Sequence, residues 1–215
     1  MVADLLFIEA NEDEFSKKLL FGGDINRYAV HWNGNYVNYA PEKLMKHEIE
    51  RRGPNKRPGL WMRNSGIFEK RKIVTRQTSD RIIAAIDNNN YYYANTLHGT
   101  SLPEDSLDQG FTLEYVLALL NSKLLNFIYA VITGEVGKVF AQIKIDTLKK
   151  MPIFVDPNNA TSVKMKLLSE KLTNENHENI KPVCQEIDRL VYDLYGLSDE
   201  SVSYIEKRYL ELYGQ

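Results

Sequence analysis

The 215-residue chain lacks most of the features that mark secreted, membrane-spanning and metal-dependent proteins. Its single cysteine, Cys184, cannot form an internal disulfide, which fits a reducing, cytoplasmic setting. The longest apolar run, around Tyr115 to Leu120, falls far short of the roughly 20 residues of a membrane-spanning helix, so no membrane partner is expected. Met1 to Ala10 is already acidic, unlike a secretory leader. None of the four histidines, His31, His47, His98 and His177, pairs with another His or with Cys184 at a zinc-like spacing. His177, Cys184 and Asp188 fall on what should be one element, a poor arrangement for a triad. No Gly-x-Gly follows a strand to cradle a dinucleotide or a methyl donor. None of the seven prolines belongs to an Asn-Pro-Pro-Tyr type motif, where amino-methylating enzymes hold the target base. Gly134-Glu-Val-Gly137-Lys138 has two residues between its glycines where a phosphate loop has four, and it follows a helix. The chain by itself shows no catalytic constellation.

What is present is an uneven charge. The net charge of −2 hides a basic block. Residues 43–81 carry 12 Lys/Arg against 4 Asp/Glu, whereas 1–42, 82–159 and 160–215 are each net acidic. Such a block can form an anion-binding face on a near-neutral protein, or simply a solvated surface.

The hydropathy pattern outlines an α+β protein. Tyr28–Trp32 and Asn35–Ala40 alternate around Asn33-Gly34, the signal of a hairpin. Pro41 suits the first turn of a helix from Glu42 to about Glu50. Gly53, Pro54, Pro58 and Gly59 mark 51–59 as a basic loop. Lys72–Thr78, Ile82–Ile86 and Tyr91–Ala94 read as an antiparallel meander. Thr112 caps a helix whose apolar positions, Leu113 to Val131, keep the 3.6-residue period for nearly five turns until Gly134. Val139–Ile145 and Ile153–Val155 read as strands. Beyond Asp156-Pro157, Val163, Leu167, Leu168 and Leu172 suggest one helix. Ile180, Val183, Cys184, Ile187, Leu190, Val191 and Leu194 form a two-heptad seam on a second, expected to pair antiparallel with the first. Ser198 caps a third helix ending at Gly214. The expected architecture is a mixed, mainly antiparallel β-sheet body with a long packed helix, residues 1–156. A helical tail, residues 157–215, follows as a helix pair plus a terminal helix.

Several stretches, in order, resemble the TaqI-like C-terminal specificity domain. This is the target-recognition domain behind the methyltransferase in many adenine-specific methyltransferases and combined restriction–modification enzymes. They are Phe21-Gly-Gly-Asp-Ile-Asn-Arg-Tyr28, Phe68 to Thr78, Leu117 to Phe127 and Gly137 to Ile153. Glu186 to Leu197 is similar to the helical ending of these proteins and to spacer helices of type I specificity subunits. The resemblance implies sequence-specific reading of double-stranded DNA and a methyltransferase domain in the same or a partner chain. That partner would use S-adenosylmethionine to flip and methylate an adenine at N6, with magnesium if a nuclease is added. This chain holds neither catalytic domain, so no cofactor is expected within it.

The residues expected at the DNA follow from charge and type. They are Arg51, Arg52, Lys56, Arg57, Arg63, Arg71, Lys72, Arg76, Gln77, Arg81, Lys138, Gln142 and Lys144. Cations neutralise phosphates, while Arg76 and Gln77 can also bond guanine and adenine in bidentate fashion. Arg76 could equally form a cross-strand salt bridge with Asp80 or Glu69. Lys149 and Lys150 read as solvated helix-end residues. Two other classes stay open: a nuclease fragment using Glu69 with Lys70 or Lys72 and a hidden magnesium site, and a protein-interaction module that binds no nucleic acid.

Overall fold

The computed structural model describes residues 7–8, 13–53, 59, 62–106, 110–138, 140–154, 160–174 and 180–214. In chain order the strands are β1 (Phe7–Ile8), β2 (Ser16–Leu20), β3 (Ile25–Asn26), β4 (Ala29–Val30) and β5 (Tyr36–Asn38). After helix α1 (Pro41–Arg52) come β6 (Lys72–Arg76), β7 (Ala84–Asp87), β8 (Tyr92–Tyr93) and β9 (Leu97–Thr100). The rest is helical: α2 (Leu113–Asn121), α3 (Lys123–Thr133), α4 (Ile145–Leu148), α5 (Ala160–Asn174), α6 (Lys181–Leu194) and α7 (Asp199–Tyr213). The expected α+β class is the observed one.

The strands form three small sheets, ordered β1-β5-β2-β8, β3-β4 and β7-β6-β9. The expected hairpin across Asn33-Gly34 does not form. β4 pairs with β3, while β5 pairs with β1 and β2. The buried Asp24 explains the divergence. Its carboxylate accepts from the Phe21 amide (2.7 Å) and from Asn33 Nδ2 (2.5 Å), and its carbonyl accepts from the His31 amide (2.7 Å). Residues 31–33 are thus tied back to 21–24.

The meander is also different from expectation. β6 and β7 pair antiparallel, but β8 leaves to pair parallel with β2, and β9 takes the third place. Tyr92 is drawn away by its ring, which stacks on Phe68 at 4.5 Å and meets Tyr39 at 4.7 Å. Ile153 and Phe154 are not a strand. The hydroxyls of Tyr195 and Tyr115 take the carbonyls of Pro152 and Phe154 instead of a ladder partner. Val155 lies outside the described residues.

The long helix foreseen from Leu113 to Val131 is broken at Ser122, with a bend of 60°. Ser122 is extended (ψ 156°) and serves both ends: its Oγ donates to Leu119 O (2.7 Å) and accepts from Leu125 N (3.3 Å). The 3.6 period continues across this cap, so apolar spacing alone does not show it. Two buried asparagines flank the break. Asn121 accepts from the Ala84 amide (3.1 Å) and donates to the Ala84 carbonyl (2.9 Å). Asn126 accepts from the Ile82 amide (2.6 Å) and donates to Leu120 O and Ser122 O. Two side chains therefore do for the β7 edge what a neighbouring strand would otherwise do. Among the described residues no single helix is long and apolar enough to cross a membrane. The first helix of the bent pair is instead buried at every residue, and the second buries Leu124, Leu125, Asn126, Tyr129 and Ala130.

The helices beyond residue 157 join that same core. Met165, Leu172, Cys184, Ile187, Val191 and Ile205 cluster with Ile73, Ile86, Leu117 and Leu125. α5 packs on α2 and on α6, and α7 packs on α3. The seam of α6 faces inward as read, with Ile180, Val183, Leu190 and Leu194 partly buried beside it. On α5 the facing is different: Val163 and Leu167 are exposed, and Ser162, Met165, Ser169 and Leu172 face the core. Asp188, buried on α6, accepts the Lys123 amide (2.8 Å) and so caps α3 across the junction.

Two outcomes are expected. Asn121→Leu removes both Ala84 contacts and leaves a buried amide without an acceptor, so urea unfolding will show a loss of about 2–4 kcal/mol. A change under about 0.5 kcal/mol, the scale of a surface substitution, would show that the break does not hold β7. Burial raises the Asp188 carboxyl from 3.8 to about 6. A raised carboxyl favours the folded state only where it is protonated, and that contribution is lost as pH rises from about 4 through about 6. Compared with Asp188→Asn, the native chain should lose on the order of 1–3 kcal/mol across that window. Parallel stability curves for the two would disprove the assignment.

Candidate nucleic-acid interface

Past Arg76 the chain bends at Gln77 and then meets a segment from the far side of α3. Thr78 and Gln142 form an antiparallel bridge, flanked by Ser79 N to Ala141 O (3.0 Å) and Ile143 N to Gln77 O (2.7 Å). The expected strand 139–145 thus contributes only this bridge before α4 begins at Ile145; Val139 itself lies outside the described residues. Residues 140–144 alternate: Phe140, Gln142 and Lys144 are exposed, Ala141 and Ile143 are buried. The bridge places Thr78 beside Gln142, while Arg76 pairs with Leu97 of β9 and donates its amide to Ile83 O (3.0 Å). Tyr129 clamps the segment from behind. Its hydroxyl donates to Gln142 O (3.2 Å) and accepts from Lys144 N (2.8 Å).

The turn before it is fixed by one carboxylate. Glu135, buried, accepts from Lys138 Nζ (2.9 Å) and Lys144 Nζ (3.0 Å). These hydrogen bonds, Lys138 first, hold its carboxyl near a pKa of about 2. Both lysines keep more than half of their side-chain surface in solvent. Two cations on one acid leave a net positive tip.

The other expected contacts are distributed unevenly. Arg51 and Arg52 bracket the buried Glu48, which also accepts from the Gly59 amide. Arg71 pairs with Glu114 and donates to Asn88 (2.7 Å). Arg81 lies over the Tyr213 ring at 4.9 Å, near Asp80. Arg76 forms neither of the salt bridges considered for it; Nε donates to Ile25 O (2.6 Å) and Nη2 to Asn26 Oδ1 (3.2 Å). Gln77, one residue past the end of β6, is half-buried. Lys56 and Arg57 lie outside the described residues.

Lys72 needs a correction. It is fully buried, donating to Asp87 (2.5 Å) and to Phe68 O (2.7 Å), so it presents no charge at a surface. Burial lowers its pKa, against the opposing pull of Asp87. Glu69, considered as a metal ligand, accepts from the Tyr92 hydroxyl (2.6 Å). The described residues contain no cluster of three or more His, Cys, Asp or Glu that could hold a metal ion.

The sequence reading missed an aromatic cleft of about 540 Å³ beside this edge. Phe68, Tyr39, Tyr92 and Tyr93 line it, with Arg63, Asn95 and His98 as polar groups. His98 Nε2 donates to Ile143 O (2.8 Å), joining the cleft to the extended segment. Arg63, among the expected contacts, is exposed at its rim. Nothing in spacing could reveal the cleft, because its walls come from five separate stretches. Phe140 was more legible: it begins the same alternation that singled out Gln142 and Lys144.

Residues 17–153 match the family model of the TaqI-like C-terminal specificity domain, and the chain belongs to that family. Among solved structures it is similar in fold to the Type IIL restriction–modification enzyme MmeI, determined in complex with DNA. That match has a TM-score of 0.57 at 12% identity and covers 94% of this chain. The chain spans about a third of that protein, 32% of its length. No curated protein matches in sequence.

The buried pair gives a direct check. Lys72→Ala should cost about 3–5 kcal/mol by stranding the Asp87 charge, whereas the double change Lys72→Met with Asp87→Leu should recover most of that loss. Equal losses in the two variants would show that packing, not charge, is what matters there.

Proposed function

We propose that this chain reads a short, defined sequence in double-stranded DNA for a restriction–modification enzyme. It would direct an adenine-N6 methyltransferase, in the same or a partner chain, to its site. The observation that carries the reading is the bridge between Thr78 and Gln142, within a chain of the specificity-domain family. It joins the end of β6, which carries Arg76, to the segment that carries Gln142 and Lys144, two stretches far apart in the sequence. Amide and guanidinium groups are the types that read base edges, and the lysines supply phosphate contacts. Nη1 of Arg76 makes no hydrogen bond among the described residues, so it is available to an acceptor on a base. The methyl donor, S-adenosylmethionine, and magnesium for any cleavage would belong to the catalytic domains. The restriction–modification enzyme in the structural comparison was solved with DNA, which supports the same partner here.

Binding of duplex DNA to the 215-residue chain, measured against salt, tests the reading. Lys138→Gln and Lys144→Gln should each lower the salt slope by roughly one unit while weakening all sequences alike. In the complete enzyme, Arg76→Ala and Gln142→Ala should cost about 1–3 kcal/mol at the cognate site and relax a base position in genome-wide methylation maps. An unchanged recognition sequence in both variants, with unchanged affinity, would move the reading face elsewhere.

A further inference from the structure

Phe140 is 79% exposed, more than any other large hydrophobic residue described. A lone exposed phenylalanine by itself points to nothing. Its setting does. The ring stands at the head of the outward row that continues through Gln142 and Lys144, two residues after Lys138. The backbone behind it is held at Ala141 by Ser79, at Ile143 by Gln77, and at both Gln142 and Lys144 by the Tyr129 hydroxyl. Glu135 fixes the two lysines on either side in sequence. The chain therefore keeps an aromatic ring in water, between cations, on a segment with little freedom to fold it away.

We infer that Phe140 is an apolar wedge that enters a base step of the bound duplex. This rests on the DNA-reading role proposed above and adds to it a distortion of the helix. Both requirements of such a wedge are met here. An apolar side chain must be presented rigidly, since ordering it at binding would consume the gain. Cations must also lie within reach of the flanking phosphates, because unstacking costs a few kcal/mol per step that other contacts offset. Lys138 and Lys144 supply those contacts, and Gln142 lies one pleat from the ring to address an opened base edge. The residues that flank the ring along its row, Lys138, Gln142 and Lys144, are polar or charged and exposed, which matches a polyanion with apolar base faces.

The test compares an intact duplex with the same duplex carrying one abasic site, which is already unstacked. The native chain should bind the abasic duplex about tenfold more tightly, as a wedge relieved of part of the unstacking cost. Phe140→Ala should abolish that preference and leave the salt slope unchanged. Phe140→Leu, still apolar and bulky, should retain much of it. In Phe140→Trp the added indole emission should be quenched on binding DNA, relative to the native chain. As the ring is exposed, all three variants should fold, which thermal unfolding checks. Salt-dependent binding without an abasic preference, or a preference that survives Phe140→Ala, overturns the wedge alone. Absence of any salt-dependent binding overturns the DNA-reading role itself.

Discussion

The structure depends on how the edge of β7 is satisfied without another strand. The backbone of residues 82–84 faces helices, which offer no free peptide groups along their sides. Asn121 and Asn126 solve this with side-chain amides, and the helix must break between them for both to reach. From that break follow the angle of α3, the place where α3 ends and hence the position of the turn that carries Lys138 to Lys144. Ala84 is shared with the other side of the molecule, since its carbonyl also accepts from the Tyr28 amide (2.9 Å). Tyr28 reaches it with a positive φ of 67°, an unusual conformation for a bulky residue, which its complete burial maintains.

Electrostatics follow a second rule: the basic block is largely occupied in holding the protein together. Glu48, Asp87, Glu114 and Glu135 are all buried, and each is covered by cations that sequence alone assigned to a ligand. Pairs of this kind cost desolvation and fix geometry more than they add stability. The effect differs with stoichiometry. Lys72 and Asp87 cancel in the interior, whereas two arginines on Glu48 and two lysines on Glu135 leave positive charge outside. A count of Lys and Arg along the chain cannot distinguish these cases, because the partners are 15 and 43 residues away for Lys72 and Arg71.

The helical elements were largely legible, because their signals are local. Thr112, Ser198, Gly134 and Gly214 mark ends that the structure reproduces, and the α6 seam faces the core as its period requires. Sheet pairing was legible only for the neighbours β6 and β7, because most of the other pairings are decided by groups far apart in sequence. Asp24 diverts β4 from β5, and the Phe68 ring draws β8 to β2. Near the candidate site, the alternation read over 139–145 and the family motifs both fell on the segment that bridges to Thr78, although it forms a single bridge and not a strand. What could not be seen was which residues of a basic stretch face outward, since Lys72 and Arg76 share one strand and Lys72 is fully buried while Arg76 is not.

The shared core sets a rule for exchanging specificity between enzymes of this kind. The family match ends at residue 153, a tempting point at which to splice one recognition module onto another. Yet Met165, Leu172, Ile187 and Val191 complete the cover of α2 and α3, and Asp188 caps α3 itself. A graft cut at 153 would leave the asparagine-bearing helices bare, and a foreign tail would have to match them residue for residue. Whole exchanges through Gly214 would preserve these contacts, so the unit that folds together is longer than the 17–153 span of the family match.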